Sequence, residues 1–263
     1  MNLEQTCQEV IILCKQVGSF LESNVNHVSD DMITVKASMD FVTQIDKESE
    51  NRLVEGLALI LPEAGFIAEE GTSTKVGEKY DWIIDPIDGT TNFIHGVSPF
   101  CISIALRKDN KLVLGVIYDP MQKECFYAWE SGGAWLNGQQ IRVSDKKKLN
   151  ESLIATGFPY TDFSLINEYM SSLRSFMTKT HGVRRLGSAA MDLAYVACGR
   201  YDAFYEYHLK PWDVAAGSVL IKEAGGKVCD FRGENDYLFG EDYIGTNGVI
   251  HSEFMEIIQL HFK

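Results

Sequence analysis

Leu3, Cys7, Val10, Ile11, Cys14, Val17 and Leu21 recur at three- and four-residue intervals, which predicts an amphipathic helix ending before the polar stretch Asn24 to Asp31. A second helix is expected from about Thr43, turning Ile45, Leu53, Val54, Leu57 and Ile60 inward until Pro62 stops it. Between them, Met32 to Asp40 reads as a loop or short hairpin that contains Lys36. The period then shortens. Cys101 to Arg107, Val113 to Tyr118 and Cys125 to Trp129 read as successive strands, and Asn137-Gly138 signals a tight hairpin turn. This block is expected to form a largely antiparallel sheet.

Beyond about Leu149, short apolar runs near Leu153–Thr156, Val183–Leu186, Ala203–Tyr205 and Lys227–Cys229 alternate with helical patterns. The helices are expected near Leu165–Met177, Ala189–Ala197 and Val214–Lys222. Strands alternating with helices predict an α/β second half. No repeat, low-complexity run or Pro-rich linker separates the two blocks. One domain over residues 1–263 is expected, with halves 1–145 and 146–263 and a soft boundary near 145.

Composition narrows the class. A chain of 263 residues with 45% hydrophobic and 11% aromatic content can bury a large core. No apolar run approaches the roughly 20 residues that span a bilayer, and Met1-Asn2-Leu3-Glu4-Gln5 lacks the basic start and apolar core of a signal peptide. A cytoplasmic protein with no membrane association is expected. The six cysteines are scattered through apolar patterns without a Cys-x-x-Cys pair and read as reduced core residues. No His-Glu-x-x-His, Gly-x-Ser-x-Gly or Walker loop occurs, which argues against zinc, serine-hydrolase and P-loop chemistry. A formal charge of −13 disfavours a general nucleic-acid binder. Lys146-Lys147-Lys148 and Arg184-Arg185 read as solvated surface or structural pairing.

The candidate chemistry is acidic. Asp85-Pro86-Ile87-Asp88-Gly89-Thr90-Thr91 follows the apolar run Trp82-Ile83-Ile84, so two carboxylates and a glycine turn stand where a buried strand ends and a helix can begin. Two Asp three apart can share hard cations such as Mg²⁺, and backbone N–H groups after Gly89 can face a phosphate. The plain alternative is a strand exit with Gly supplying positive φ and Asp capping a helix. Gly65-Phe66-Ile67-Ala68-Glu69-Glu70-Gly71 is a second apolar run ending in acids, with Glu69 the ligand candidate. In Pro211-Trp212-Asp213, Asp213 opens a helical run that Gly225-Gly226 terminates, and it reads as N-cap, metal ligand or both.

Together these segments resemble the inositol monophosphatase family of Mg²⁺-dependent, Li⁺-sensitive phosphatases. The resemblance rests on Ala68-Glu69-Glu70-Gly71, on Trp82 through Phe93, and on Trp212-Asp213 with Glu223-Ala224-Gly225-Gly226, and it spans essentially the whole chain. It implies a mixed α/β fold, a layered αβαβα sandwich of the inositol monophosphatase and fructose-1,6-bisphosphatase type, with the site between the halves. It implies two to three Mg²⁺ ions. Glu69, Asp85 and the Ile87 carbonyl would hold one, Asp85, Asp88 and Asp213 a second, and a weaker third would sit near Glu69.

The implied reaction is hydrolysis of a phosphomonoester, myo-inositol monophosphate, by metal-activated water. Thr90 paired with Asp46 would orient and deprotonate that water. Without the resemblance, Asp46 reads as a solvated helix residue. The N–H groups of Gly89 and Thr90 would bind phosphate oxygens, while Gly187, Ser188, Ala189 and Glu206 would line the alcohol pocket. Thr91 is expected to cap the following helix. Asp192 reads as a helix-surface acid outside the site, and His95 as a helix-surface or turn histidine. Lys36 matches a loop lysine of the family.

Alternative substrates within the family are the 2′-phosphate of NADP, fructose 1,6-bisphosphate and 3′-phosphoadenosine nucleotides. A different alternative is a non-catalytic binding role in RNA or transcription machinery. The resemblance also implies a homodimer.

Overall fold

Two helices open the chain, α1 (Leu3–Asn24) and α2 (Gln44–Ile60), separated by the hairpin β1 (Ile33–Ala37) and β2 (Asp40–Thr43). The structure is a computed structural model that describes residues 1–25, 33–37 and 40–262, with backbone alone for 33–37 and 40–43. The expected turn inside Met32–Asp40 and the side chain of Lys36 therefore lie outside the described residues. Asn2 starts α1 by accepting the Gln5 N–H on its side chain.

Seven strands follow: β3 (Gly65–Ala68), β4 (Tyr80–Asp88), β5 (Cys101–Lys108), β6 (Lys111–Asp119), β7 (Glu124–Trp129), β8 (Gly133–Leu136) and β9 (Gln139–Ile141), with the short helix α3 (Thr90–Ile94) between β4 and β5. They form one sheet in sequence order. Only β3 and β4 are parallel; every later pair is antiparallel. The tight turn expected at Asn137-Gly138 joins β8 to β9, with both residues at positive φ.

Successive side chains of a strand point to opposite faces, and the core follows that rule. Trp82, Ile84, Ile102, Ile104 and Leu106 pack with α1 and α2, while Ile83, Cys101 and Ala105 pack on the other side. Both faces are buried, so these strands read as near-continuous apolar runs. The opposite face is covered by α5 (Ala189–Ala197) and α6 (Pro211–Glu223), introduced after β10 (Leu153–Thr156), α4 (Ile166–Lys179) and β11 (Gly182–Arg184).

A second sheet completes the molecule with β12 (Ala203–Tyr207), β13 (Lys227–Cys229) and β14 (Asp242–Thr246), in the order β11-β10-β12-β14-β13. On β12, Phe204 faces α5 and α6, whereas Ala203, Tyr205 and Tyr207 face α4 and the last helix α7 (His251–His261). The layers are thus α1/α2, seven strands, α5/α6, five strands, α4/α7, the αβαβα order implied by the family resemblance.

The second half departs from a simple alternation of strands and helices. β11, β10 and β12 are parallel, but β14 inserts antiparallel between β12 and β13. The strand expected at Val183–Leu186 stops at Arg184, and α4 runs on to Lys179. Neither β14 nor α7 was anticipated. β14 is only five residues long and includes Gly245, so little local signal marks it. For α7 a helical spacing was present in Phe254, Ile257 and Ile258, all buried.

Candidate active site

The register of β4 against β5 shifts between Asp85 and Asp88, which lifts the end of the strand out of the ladder. Asp85 Oδ1 accepts the Ile87 N–H at 2.9 Å and closes a local turn. Gly89 follows with φ of +98°, and an added Cβ would stand 3.1 Å from the Gly187 carbonyl oxygen and 3.2 Å from that of Pro99. Glycine is needed there for both conformation and space. The chain then enters α3 at Thr90.

This exit gathers carboxylates from distant elements. Ligand oxygens of Asp85, Asp88 and Asp213 lie within 4.8 Å of one another. Together with Glu69 they line a cavity of about 370 Å³ between the two sheets. Asp213 is the third residue of α6, not its N-cap: Lys210 holds that position, and Asp213 Oδ2 accepts the Lys210 N–H at 2.7 Å. Pro211 opens the helix, where its missing N–H costs nothing. The Trp212 carbonyl accepts Ser103 Oγ–H at 3.1 Å, which ties α6 to β5.

Crowded acids resist ionisation. Burial first, then the charges of Glu69, Asp88 and Asp213, push the Asp85 carboxyl well above its ordinary value. Burial, with Asp88 next, moves Asp213 up to about 7. Asp88 is also raised by burial, against the opposing donors Ser188 and Ala190. Lys210 offsets only part of the negative charge at Asp213, and a compact set of oxygen donors of this kind suits a hard divalent ion such as Mg²⁺.

Glu69 owes its place to a residue that sequence reasoning missed. Buried Glu50 on α2 accepts the N–H groups of Glu70 at 2.7 Å and Thr72 at 2.8 Å, and the Thr72 hydroxyl at 2.8 Å. It pins the turn after β3. An acid among the polar positions of an amphipathic helix gives no local hint of that task. Asp46, also on α2, is fully buried and not solvated, with Oδ1 at 3.2 Å from Thr90 Oγ. The same hydroxyl lies 3.1 Å from the Ile87 carbonyl, so its one proton serves either acceptor.

The opposite wall comes from the second half. Ser188 caps α5, and both its Oγ–H and the Ala190 N–H reach Asp88 Oδ2 at 2.6 Å. Gly187, Ser188 and Ala189 line the cavity. Glu206 is buried on the α5/α6 side of β12 and rests on Gly157, where an added Cβ would fall 1.9 Å from Oε2. Burial, then Asp213, holds its carboxyl well above the usual range.

Several expectations change. Asp192 is no surface acid: it is 1% exposed, lines the cavity, and is pushed well up by burial and by Glu206. Its position one turn after Ser188 placed it on the same helix face, a readable signal. Arg185 lines the cavity as well, with its guanidinium over the rings of Phe158 and Tyr160. Arg184 and Lys146 to Lys148 are exposed, as expected. Thr91 lies inside α3 and lines the cavity, while Gly89 occupies the N-cap, so Thr91 does not cap the helix. His95 is exposed at the end of α3 and outside the cavity lining.

The model of the inositol monophosphatase family matches residues 2–261. The chain belongs to that family. It is a family of phosphatases, and close relatives carry two kinds of name. The Nus factor SuhB of Pseudomonas aeruginosa is 39% identical over 252 residues, covering 94% of this chain and 93% of that protein. The inositol-1-monophosphatase of Mesorhizobium japonicum is 38% identical over 245 residues, covering 93% and 92%. Among solved structures, the extragenic suppressor protein suhB from Bartonella henselae superimposes with a TM-score of 0.91 at 37% identity, covering 96% of this chain and 97% of that one. No helix among the described residues is long and apolar enough to cross a membrane.

Proposed function

We propose that the protein is a Mg²⁺-dependent phosphomonoesterase that hydrolyses myo-inositol monophosphate to myo-inositol and phosphate. The observation that carries this reading is the convergence of Asp85, Asp88 and Asp213 oxygens within 4.8 Å in a cavity that also holds Glu69, Gly89, Thr90 and Glu206. Glu69, Asp85, Ile87, Asp88 and Asp213 are the residues that would hold two to three ions. Bound Mg²⁺ supplies a lowered pKa for water and neutralises charge on the phosphoryl group.

The chain's own groups do the rest. Thr90 Oγ, poised between Asp46 Oδ1 and the Ile87 carbonyl, orients the attacking water, and Asp46 takes up its proton through the Thr90 hydroxyl. The N–H groups of Gly89 and Thr90 hold phosphate oxygens. Gly187 to Ala189 and Glu206 position the alcohol portion, with Glu206 hydrogen-bonded to its hydroxyls. The reading includes a homodimer located in the cytoplasm.

The test is phosphate release from inositol 1-phosphate, NADP, fructose 1,6-bisphosphate and 3′-phosphoadenosine 5′-phosphate, with Mg²⁺, with EDTA and with added Li⁺. Release from inositol 1-phosphate that needs Mg²⁺, is inhibited by Li⁺ and disappears in the double variant Asp88→Asn with Asp213→Asn supports the proposal. Preference for another ester replaces the substrate, and full activity in the double variant removes the metal mechanism. Names of the Nus factor type among relatives at this identity favour a second role in transcription machinery, which can coexist with hydrolysis. Co-purification with RNA polymerase from cell extract, kept when the double variant abolishes hydrolysis, would separate the two.

A further inference from the structure

The Glu206 side of the cavity contains two buried polar atoms that no hydrogen bond among the described residues satisfies. One is Asp192 Oδ1, an acceptor when ionised, and the other is Arg185 Nε, a donor. Both residues line the cavity that contains Glu206. Buried polar atoms are almost always paired, so an unpaired acceptor and an unpaired donor at one cavity point to a ligand that brings both functions. A hydroxyl does so: its oxygen accepts from the guanidinium while its hydrogen goes to the carboxylate.

The scaffold holds the pair in place. Asp192 lies one helical turn after Ser188, whose hydroxyl is bound to Asp88, so the same face of α5 looks into the cavity. The Asp192 N–H is spent on the Ser188 carbonyl at 3.1 Å, which leaves only the side chain for a ligand. Arg185 is steadied by stacking over Phe158 and Tyr160, at 5.4 and 5.3 Å from the ring centres. The guanidinium also donates to the Tyr160 hydroxyl, and its charge eases the ionisation of Asp192.

We propose that Asp192, with Arg185, is a specificity-determining contact that clasps a hydroxyl of the substrate beside the one bound by Glu206. The class of substrate selected is a cyclic polyol monophosphate with adjacent free hydroxyls. This rests on the phosphatase reading above and deepens it. An alcohol lacking those hydroxyls leaves Oδ1 and Nε unpaired and is discriminated against.

The experiment measures kcat/KM for inositol 1-phosphate and for cyclohexyl phosphate, which keeps the ring but has no free hydroxyl. The ratio of the two is compared in wild type, Asp192→Ala and Asp192→Asn. Asp192→Ala is expected to lower the ratio about tenfold or more, mainly through KM for the inositol ester, with Asp192→Asn losing less because an amide oxygen still accepts. An unchanged ratio overturns the proposal, whether both esters lose activity together or neither does. Should wild type hydrolyse neither ester, the phosphatase reading fails on its own, and calorimetric binding of myo-inositol decides the subsite. Binding lost in Asp192→Ala upholds it, and binding absent from wild type or equal in the two proteins refutes it.

Discussion

Asp88, at the end of a strand in the seven-stranded sheet, accepts the Ser188 hydroxyl at 2.6 Å across the cavity, and the Ala190 N–H shares the same oxygen. One carboxylate therefore caps a helix of the other half while its charge faces Asp85 and Asp213. The carboxylate cluster and the packing of β4 against α5 are coupled through this bond.

Ser188→Ala removes the cap of α5 and one of the donors to Asp88. The expected loss is about 1–2 kcal/mol of unfolding free energy, read as a lowered urea midpoint at constant m. Full stability would show that the Ala190 N–H alone holds the junction.

Glu50 is predicted to act through Glu69. Glu50→Ala frees three bonds from the turn after Ala68, so the Mg²⁺ concentration for half-maximal activity is expected to rise severalfold. The rate at saturating Mg²⁺ should fall much less. An unchanged Mg²⁺ requirement would show that Glu69 is positioned without it.

Gly157→Ala tests the seat of Glu206. The new methyl group would overlap the carboxylate, and fully buried neighbours on β12 leave it little room to retreat. KM for inositol 1-phosphate is expected to rise at least about tenfold, with inhibition by inorganic phosphate retained, because the groups proposed to hold phosphate, at Gly89 and Thr90, are untouched. Equal weakening of phosphate inhibition would mean that the whole cavity had shifted.

The acid cluster gives stability a pH dependence in EDTA. Asp213 titrates at about 7 in the fold against an ordinary 3.8, so its contribution is complete below 3.8 and is lost as pH rises through about 7. His251, lowered by burial from 6.5 to about 4, runs the other way: its contribution is present above 6.5 and lost as pH falls through about 4. The difference between wild type and Asp213→Asn isolates the first effect. Relative to the variant, wild type should lose melting temperature between about pH 4 and pH 7.5, and Mg²⁺ should restore it more at the upper end. A pH-independent difference would remove the repulsion argument.

How much of this could be read from the chain differs by element. α1 was legible because its buried stripe repeats with the helical period, and β5 to β7 because strands buried on both faces are continuous apolar runs. β14 was not, since a five-residue strand containing glycine is defined by its neighbours β12 and β13 and not by its own pattern. Asp85, Asp88 and Gly89 stood out as a strand exit rich in acids. Glu50 did not, because an acid on a helix looks the same whether it faces water or a cavity, and Asp192 was marked only by its spacing one turn after Ser188.

The sequence by itself determined the periodicities, the turn at Asn137-Gly138, the acidic strand ends and the family, because each depends on residues close along the chain or on motifs of fixed spacing. Only the tertiary structure decided which acids meet. Asp213 reaches Asp88 because Ser103 holds the Trp212 carbonyl, and Glu50 serves the turn after Ala68 because α2 packs beneath that edge of the sheet. Asp192 lost its solvent when α5 was enclosed between two sheets. Burial and proximity arise from layers assembled over more than a hundred residues of separation, and no local pattern encodes them.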